Sequence, residues 1–182
     1  IRTASIGYAI PGTVIAVGVI IPFAWIDGRI DTFMQSSFGI SSGLIFSGTL
    51  IAVMFAYVVR FLAISLQTVE SGLEKIKPSM DDAARSLGCR HHETLFKIHI
   101  PLLKSSMLTA LMIVFVDVMK ELPATLILRP FDFNTLAVRA FELASDERLA
   151  DSSTAALTIV VVGLLPVIYL SKTISHSRLY QG

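Results

Sequence analysis

Long stretches without a single charge alternate along this chain with shorter polar ones. Gly7 to Ile26 carries no Asp, Glu, Lys or Arg, and neither does Thr32 to Val59 or Ser152 to Ser171. Ser105 to Leu128 is a further apolar run, broken only by Asp117, Lys120 and Glu121. A helix needs about 20 largely apolar residues to cross a hydrocarbon core. The pattern therefore predicts spanning helices at residues 7–26, 40–64, 105–128 and 152–171. Polar segments at 65–104 and 129–151 connect them. Asp27-Gly28-Arg29 is expected to end the first span, and Arg60, near the end of the second, to snorkel to the interface. Pro11 and Pro22 fall inside the first run, where neighbouring helices can satisfy the carbonyls a proline leaves unbonded. Gly39, Gly43 and Ser47, spaced by four, would place small residues on one face of the second helix.

Composition agrees with this pattern. The chain has 182 residues, 53% hydrophobic and only 16% charged, against about a quarter charged in soluble domains. The fold class is therefore all-α, a polytopic transmembrane protein with about four spans and short helices in the 65–104 loop. A net charge of +1 gives no case for nucleic acid as a partner; the lipid bilayer is the expected one. A single cysteine, Cys89, excludes an internal disulfide framework. The chain starts at Ile1 rather than Met and shows no signal-peptide pattern, so an N-terminally incomplete protein is expected.

Basic residues predict the orientation. One side would carry Arg2, Arg60, Lys75, Lys77, Arg85, Arg90, Lys97, Lys104, Lys172 and Arg178; the other would carry Arg29, Arg129, Arg139 and Arg148. The positive-inside rule puts the 65–104 loop and both termini in the cytoplasm, and residues 129–151 outside.

Within the loop, Pro78-Ser79 is expected to open a short helix, with Ser79 and Asp82 at capping-box spacing. Ala83, Ala84 and Leu87 would share one side, a small-residue face suited to a groove in a partner. Gly88 would stop this helix, because only Gly enters the left-handed region freely. Thr94 to Ile100 would form a second short element, and Pro101 would open the next spanning helix.

Asp82-Ala83-Ala84, Gly88 and Ile98-His99-Ile100-Pro101 keep the spacing E-A-A, three residues, G, nine residues, I-x-L-P. The first position is Asp rather than Glu, and Ile100 stands at the Leu position. The pattern resembles the coupling loop of the membrane subunits of binding-protein-dependent ATP-binding-cassette importers. The resemblance implies that Asp82, Ala83, Ala84, Leu87, Gly88, Ile98 and Pro101 couple this chain to a separate ATPase dimer. ATP would then act on that partner, with no cofactor held by this chain. Closure of the dimer would move the Asp82–Leu87 helix and reorient the spanning helices in alternating access.

Asp117, Lys120 and Glu121 are costly inside a bilayer unless paired or wetted. Counted from Ser105, Asp117 lies about 18 Å along a helix, past the midplane. Asp117 and Glu121, four apart, would share a helix face, and Pro123 would bend the helix just beyond. Two readings stand: Asp117, Lys120, Glu121 and Pro123 line the translocation pathway or its gate, or the charges form an internal salt bridge between helices.

Met119 to Phe131, Thr135 to Arg139, Leu143 to Glu147 and Gly7 to Thr13 sharpen the resemblance to the ferric-iron branch of these permeases. Relatives carrying thiamine, polyamines or phosphonates share the architecture. The resemblance implies a two-half permease of the bacterial inner membrane, of which this chain matches the last part of the second half. The missing N-terminal part or other half would be a partner, as would a periplasmic substrate-binding protein.

Other signals point elsewhere. Cys89, His91, His92 and Glu93 are too closely spaced for a zinc site and read as solvated loop residues. Asp132, Glu142, Asp146, Glu147 and Asp151 could in principle offer oxygen ligands to Fe(III); a solvated face that docks the binding protein is the preferred reading. Leu136, Ala140 and Leu143 predict an amphipathic helix there. An enzyme is disfavoured, since neither a P-loop nor a G-x-S-x-G elbow occurs. The rival outside the family is an ion-gradient transporter or channel worked by Lys120 and Glu121.

Overall fold

A computed structural model describes residues 9–179; Arg2, Gly7 and Tyr8 lie outside the described residues, as do the side chains of His176 and Arg178. All regular structure among the described residues is helical. In chain order the helices are α1 (Gly12–Phe38), α2 (Leu50–Leu73), α3 (Pro78–Ser86), α4 (His91–Met119), α5 (Pro123–Leu128), α6 (Leu136–Ser145) and α7 (Leu149–Leu179). Four of them, α1, α2, α4 and the Leu149–Tyr169 part of α7, are long and apolar enough to cross a membrane.

The four long helices overlap the charge-free runs, but their ends differ. α1 does not stop at Asp27; it continues to Phe38 and ends at Gly39. The reason is a loop that folds back. The buried Asp27 carboxylate accepts the backbone N–H groups of Ile45, Phe46 and Ser47 at 2.8–3.3 Å and the Ser47 hydroxyl at 2.6 Å. Four donors replace the water that the charge would otherwise require, so the helix can run on through it. Phe46 packs at a tilt against Phe23 with ring centroids 5.5 Å apart, closing the loop on the helix. Gly39, Gly43 and Ser47 therefore belong to the α1 terminus and this loop, not to a helix face. α2 starts late, at Leu50, capped by the Thr49 hydroxyl.

The close helix approach comes instead at Gly72, where a Cβ would collide with Ser106 of α4. α2 packs most extensively on α4, and α4 also packs on α7. The main core joins three elements: Ile15, Ala16 and Val19 of α1, Ala52, Val53 and Ala56 of α2, and Ala124 and Leu128 of α5. α5 is thus a short helix packed against both α1 and α2. The Tyr57 hydroxyl and Thr125 Oγ1, 2.5 Å apart, bond across this seam.

α4 begins at His91, so the expected separate element at 94–100 is its first part. The Arg90 N–H donates to Glu93 Oε2 at 2.9 Å and starts the helix. Leu95–His99 is one π-helical turn. Pro101 explains it: with no N–H it cannot serve the Lys97 carbonyl, and its ring crowds that carbonyl. The wider turn lets the Ile100 N–H reach Leu95 O instead.

α6 forms as expected, but Ala137, Val138 and Leu143 are the buried positions, while Leu136 is exposed. The Ser152 hydroxyl donates to Ala140 O at 2.8 Å and fixes α6 against α7.

Candidate functional site: a loop helix and a broken helix

The loop site is built on α3. Pro78 occupies the first helical position and Lys77 the N-cap, with no side-chain cap. The expected Ser79–Asp82 capping box does not form, because the helix starts two residues too early for Ser79 to be the cap. Gly88 does stop the helix, at φ 81°. Its N–H bonds Arg85 O at 2.9 Å and the Cys89 N–H bonds Ala84 O at 3.0 Å, the paired closure a left-handed glycine permits.

Ala83, Ala84 and Leu87 do not share one exposed side. Ala84 is turned inward and buried, whereas Asp82 and Ala83 are exposed and Leu87 is 84% exposed. The face offered outward is therefore Asp82, Ala83 and Leu87. Ile98 is half-buried and Pro101 exposed on α4.

The residue beside the pattern makes the connection. Asp81 Oδ1 lies 2.7 Å from His99 Nε2, tying the first turn of α3 to the π-turn of α4. Asp81, Arg85, His91, Thr94, Leu95 and His99 line a cleft of about 250 Å³ between the two helices. Glu93 pairs with Lys97 at 3.2 Å. Among the described residues no group of three or more His, Cys, Asp and Glu side chains could hold a metal ion.

The second site is the break after α4. The helix ends at Met119, so Asp117 and Glu121 do not share a helix face as their spacing predicts. Lys120 Nζ reaches back to Asp117 Oδ1 at 2.8 Å. Glu121 turns the other way. Its Oε1 accepts the Ala124 N–H at 3.2 Å, capping α5, and its Oε2 lies 3.4 Å from Arg60 Nε. Pro123 opens α5 rather than bending a continuing helix.

Arg60 does not reach outward as expected. It sits in the middle of α2 and is largely buried against Glu121, itself 6% exposed. Gly12 of α1 completes the contact: a Cβ there would overlap Arg60 Nη1 and Glu121 Oε1. Arg60 Nε and Nη1 are buried with no hydrogen-bond acceptor in place, so the pair is held by charge rather than by a two-pronged fork. Three helices meet at one ion pair.

Sequence reasoning missed Arg60, Gly12, Asp81, His99 and Asp27. For Arg60 a signal existed, since Phe61 to Leu66 continues the apolar run beyond it. On the far side, Glu142 is gripped by Arg129 at 2.7 Å, Asn134 at 3.1 Å and Arg139 at 3.8 Å, and Asp151 by Arg148 at 2.6 Å. Those carboxylates are engaged with cations of their own chain.

Residues 2–180 match the family described as binding-protein-dependent transport system inner membrane component. Individual relatives are similar at lower coverage of their own length. The Fe(3+)-transport system permease protein FbpB 2 of Haemophilus influenzae is 29% identical over 124 residues, 68% of this chain and 24% of that protein. A Salmonella typhimurium protein named "Putative 2-aminoethylphosphonate transport system permease protein PhnV" is 31% identical over 156 residues, 86% of this chain and 52% of its own. The ferric transport system permease protein FbpB of Actinobacillus pleuropneumoniae is 24% identical over 172 residues, 94% of this chain and 23% of that protein. The chain thus spans between about a quarter and about half the length of these curated relatives.

Proposed function

This chain belongs to the binding-protein-dependent transport system inner membrane component family, and from that premise we propose that it is a permease of an ATP-driven importer whose cargo is ferric iron. The family is one of transport components, not catalysts. A separate ATPase dimer would supply the energy and a binding protein on the opposite side would deliver the cargo. α3 carries the proposal. It is a nine-residue helix between two spans, with Asp82, Ala83 and Leu87 facing outward and its own end locked by Gly88. A short rigid helix with an outward face suits a groove in a partner. ATP-driven closure of that partner would move α3, and α2 and α4 with it.

The orientation that fits is α3 in the cytoplasm of a bacterium. With Arg60 buried and removed from the count, nine basic residues (Arg2, Lys75, Lys77, Arg85, Arg90, Lys97, Lys104, Lys172 and Arg178) still stand against four (Arg29, Arg129, Arg139 and Arg148). The gate is proposed at the break, with Asp117, Lys120, Glu121 and Pro123. There the Arg60–Glu121 pair holds α5 between α1 and α2, and α5 must shift for a path to open.

Ferric iron is favoured by the stretch from Lys120 to Glu147 and by relatives named for Fe(3+) or ferric transport. The phosphonate-named relative, which matches more of this chain than FbpB 2 does, supports a second reading with 2-aminoethylphosphonate as cargo. The test is uptake into liposomes carrying the assembled permease, its ATPase and the loaded binding protein. Radioactive iron should enter only with ATP. Entry of 2-aminoethylphosphonate instead of iron would exchange the cargo, and uptake driven by an ion gradient without ATP would overturn the class of energy source.

A further inference from the structure

We infer that the Asp81–His99 pair is the strut that passes motion of α3 into α4, and that the Leu95–His99 π-turn is the hinge it works. The inference rests on the coupling reading above and deepens it. The two residues stand eighteen apart, 2.7 Å between Oδ1 and Nε2. Both occupy positions that the loop pattern leaves open: the residue before Asp82, and the one between Ile98 and Ile100. The pattern specifies what faces the partner and how the loop is spaced. It does not specify what joins α3 to the span.

Packing makes only part of that joint. Ala84 is buried on the inner side of α3, but α3 touches α4 sparingly, and a cleft of about 250 Å³ lies between the two helices. Where the cleft holds the helices apart, a push passes through the direct contact that crosses it, and a short hydrogen bond to a carboxylate is a strong one. Among the described residues it is the side-chain hydrogen bond that bridges the two helices. Arg85 and His91 face the same cleft from α3 and α4.

His99 is also the place where a push would tell. It is the last residue of the π-turn, and Pro101 follows two residues on. Without the Pro101 N–H, the backbone here lacks one rung of its ladder, and π-turns and prolines are the usual sites of helix bends. A strut fixed at His99 therefore bears on the softest point of α4. Above the hinge, Ile100–Met119 continues as regular helix to the break at Lys120. Movement of α3 would swing this segment, and with it the end of the helix that adjoins α5.

The test compares Asp81→Ala, His99→Ala, His99→Gln and the exchange Asp81→His with His99→Asp, in the assembled transporter. Three quantities are read: ATPase retained on co-purification, ATP hydrolysed, and cargo carried per ATP. Each alanine variant should keep the ATPase bound and hydrolysing, and lose about tenfold in cargo per ATP, the size of one charge-assisted hydrogen bond. His99→Gln keeps an amide donor at similar reach and should retain most transport. The exchange should recover transport above either alanine variant. Alanine variants that carry normal cargo per ATP would overturn the strut while leaving ATP coupling intact. Loss of ATPase binding together with transport would also overturn it, by making the pair a docking or folding contact. If an alanine variant fails to accumulate, the exchange decides, since a strut predicts that it folds and transports. Failure of the coupling reading looks different: the unmodified transporter itself would carry cargo without ATP.

Discussion

Two side-chain contacts between elements, Arg60–Glu121 and Asp81–His99, stand in opposite surroundings. Arg60–Glu121 lies among α1, α2 and α5, with Glu121 6% exposed. Asp81–His99 lies beside an open cleft in the loop, its side chains 36% and 22% exposed. The buried pair is the longer contact, 3.4 Å against 2.7 Å. Length is thus a poor guide to what each does. A buried pair matters because neither charge can be left alone there; a half-exposed pair matters for where it fixes one element against another. The first holds a bundle together, and the second fixes α3 against the start of α4.

The comparison breaks most sharply on removing one partner of the buried pair. Glu121→Ala strands the Arg60 guanidinium among apolar helices, at a cost of about 3–5 kcal/mol. Thermal unfolding in detergent should fall accordingly. Replacing both residues, Arg60→Met with Glu121→Met, should cost less than either single change, because no lone charge remains. A double variant as unstable as the sum of the singles would show that the two residues act independently.

Gly12→Ala tests the same node from the third helix. The added Cβ would overlap Arg60 Nη1 and Glu121 Oε1, so the pair must part or α1 must back away. Overpacking of this kind costs about 1–3 kcal/mol. The cost should shrink in the Arg60→Met background if the clash is with the pair itself. By contrast Gly88→Ala, at φ 81°, should cost about 1 kcal/mol and act on the α3 end alone. The bundle's unfolding should stay almost unchanged while cargo carried per ATP declines.

Much of the fold was legible because a charge-free run long enough to span has few other uses. The helix ends were not, and Asp27 shows why. A carboxylate normally marks the end of a span, but here its charge is met by N–H groups from residues 45–47, which no local reading places beside it. Arg60 was misplaced for the same reason: its partner is 61 positions away, in a segment read as continuous helix. In the loop, Gly88 was legible from chemistry confined to its own backbone. Asp81 and His99 were not, because their meeting depends on how α3 folds against the start of α4. Local conformational rules survive in the sequence, whereas charge partners require the tertiary fold.

The smallest expected change in stability belongs to the residue with the largest expected change in transport. Asp82 is exposed at the outward face of α3, and replacing it with Lys disturbs no buried group. Insertion and thermal stability of Asp82→Lys should match the unmodified protein within about 0.5 kcal/mol, as for most surface changes. If α3 is the lever, reversing this charge at the partner face should abolish ATP-driven uptake and weaken retention of the ATPase. Leu87→Asp should do the same through its apolar surface, since its side chain is 84% exposed and has no intramolecular use for that area. Normal uptake by both variants would remove α3 from the coupling path. The strut behind it would then be an ordinary loop contact, and the distinction between the two contacts would come down to burial.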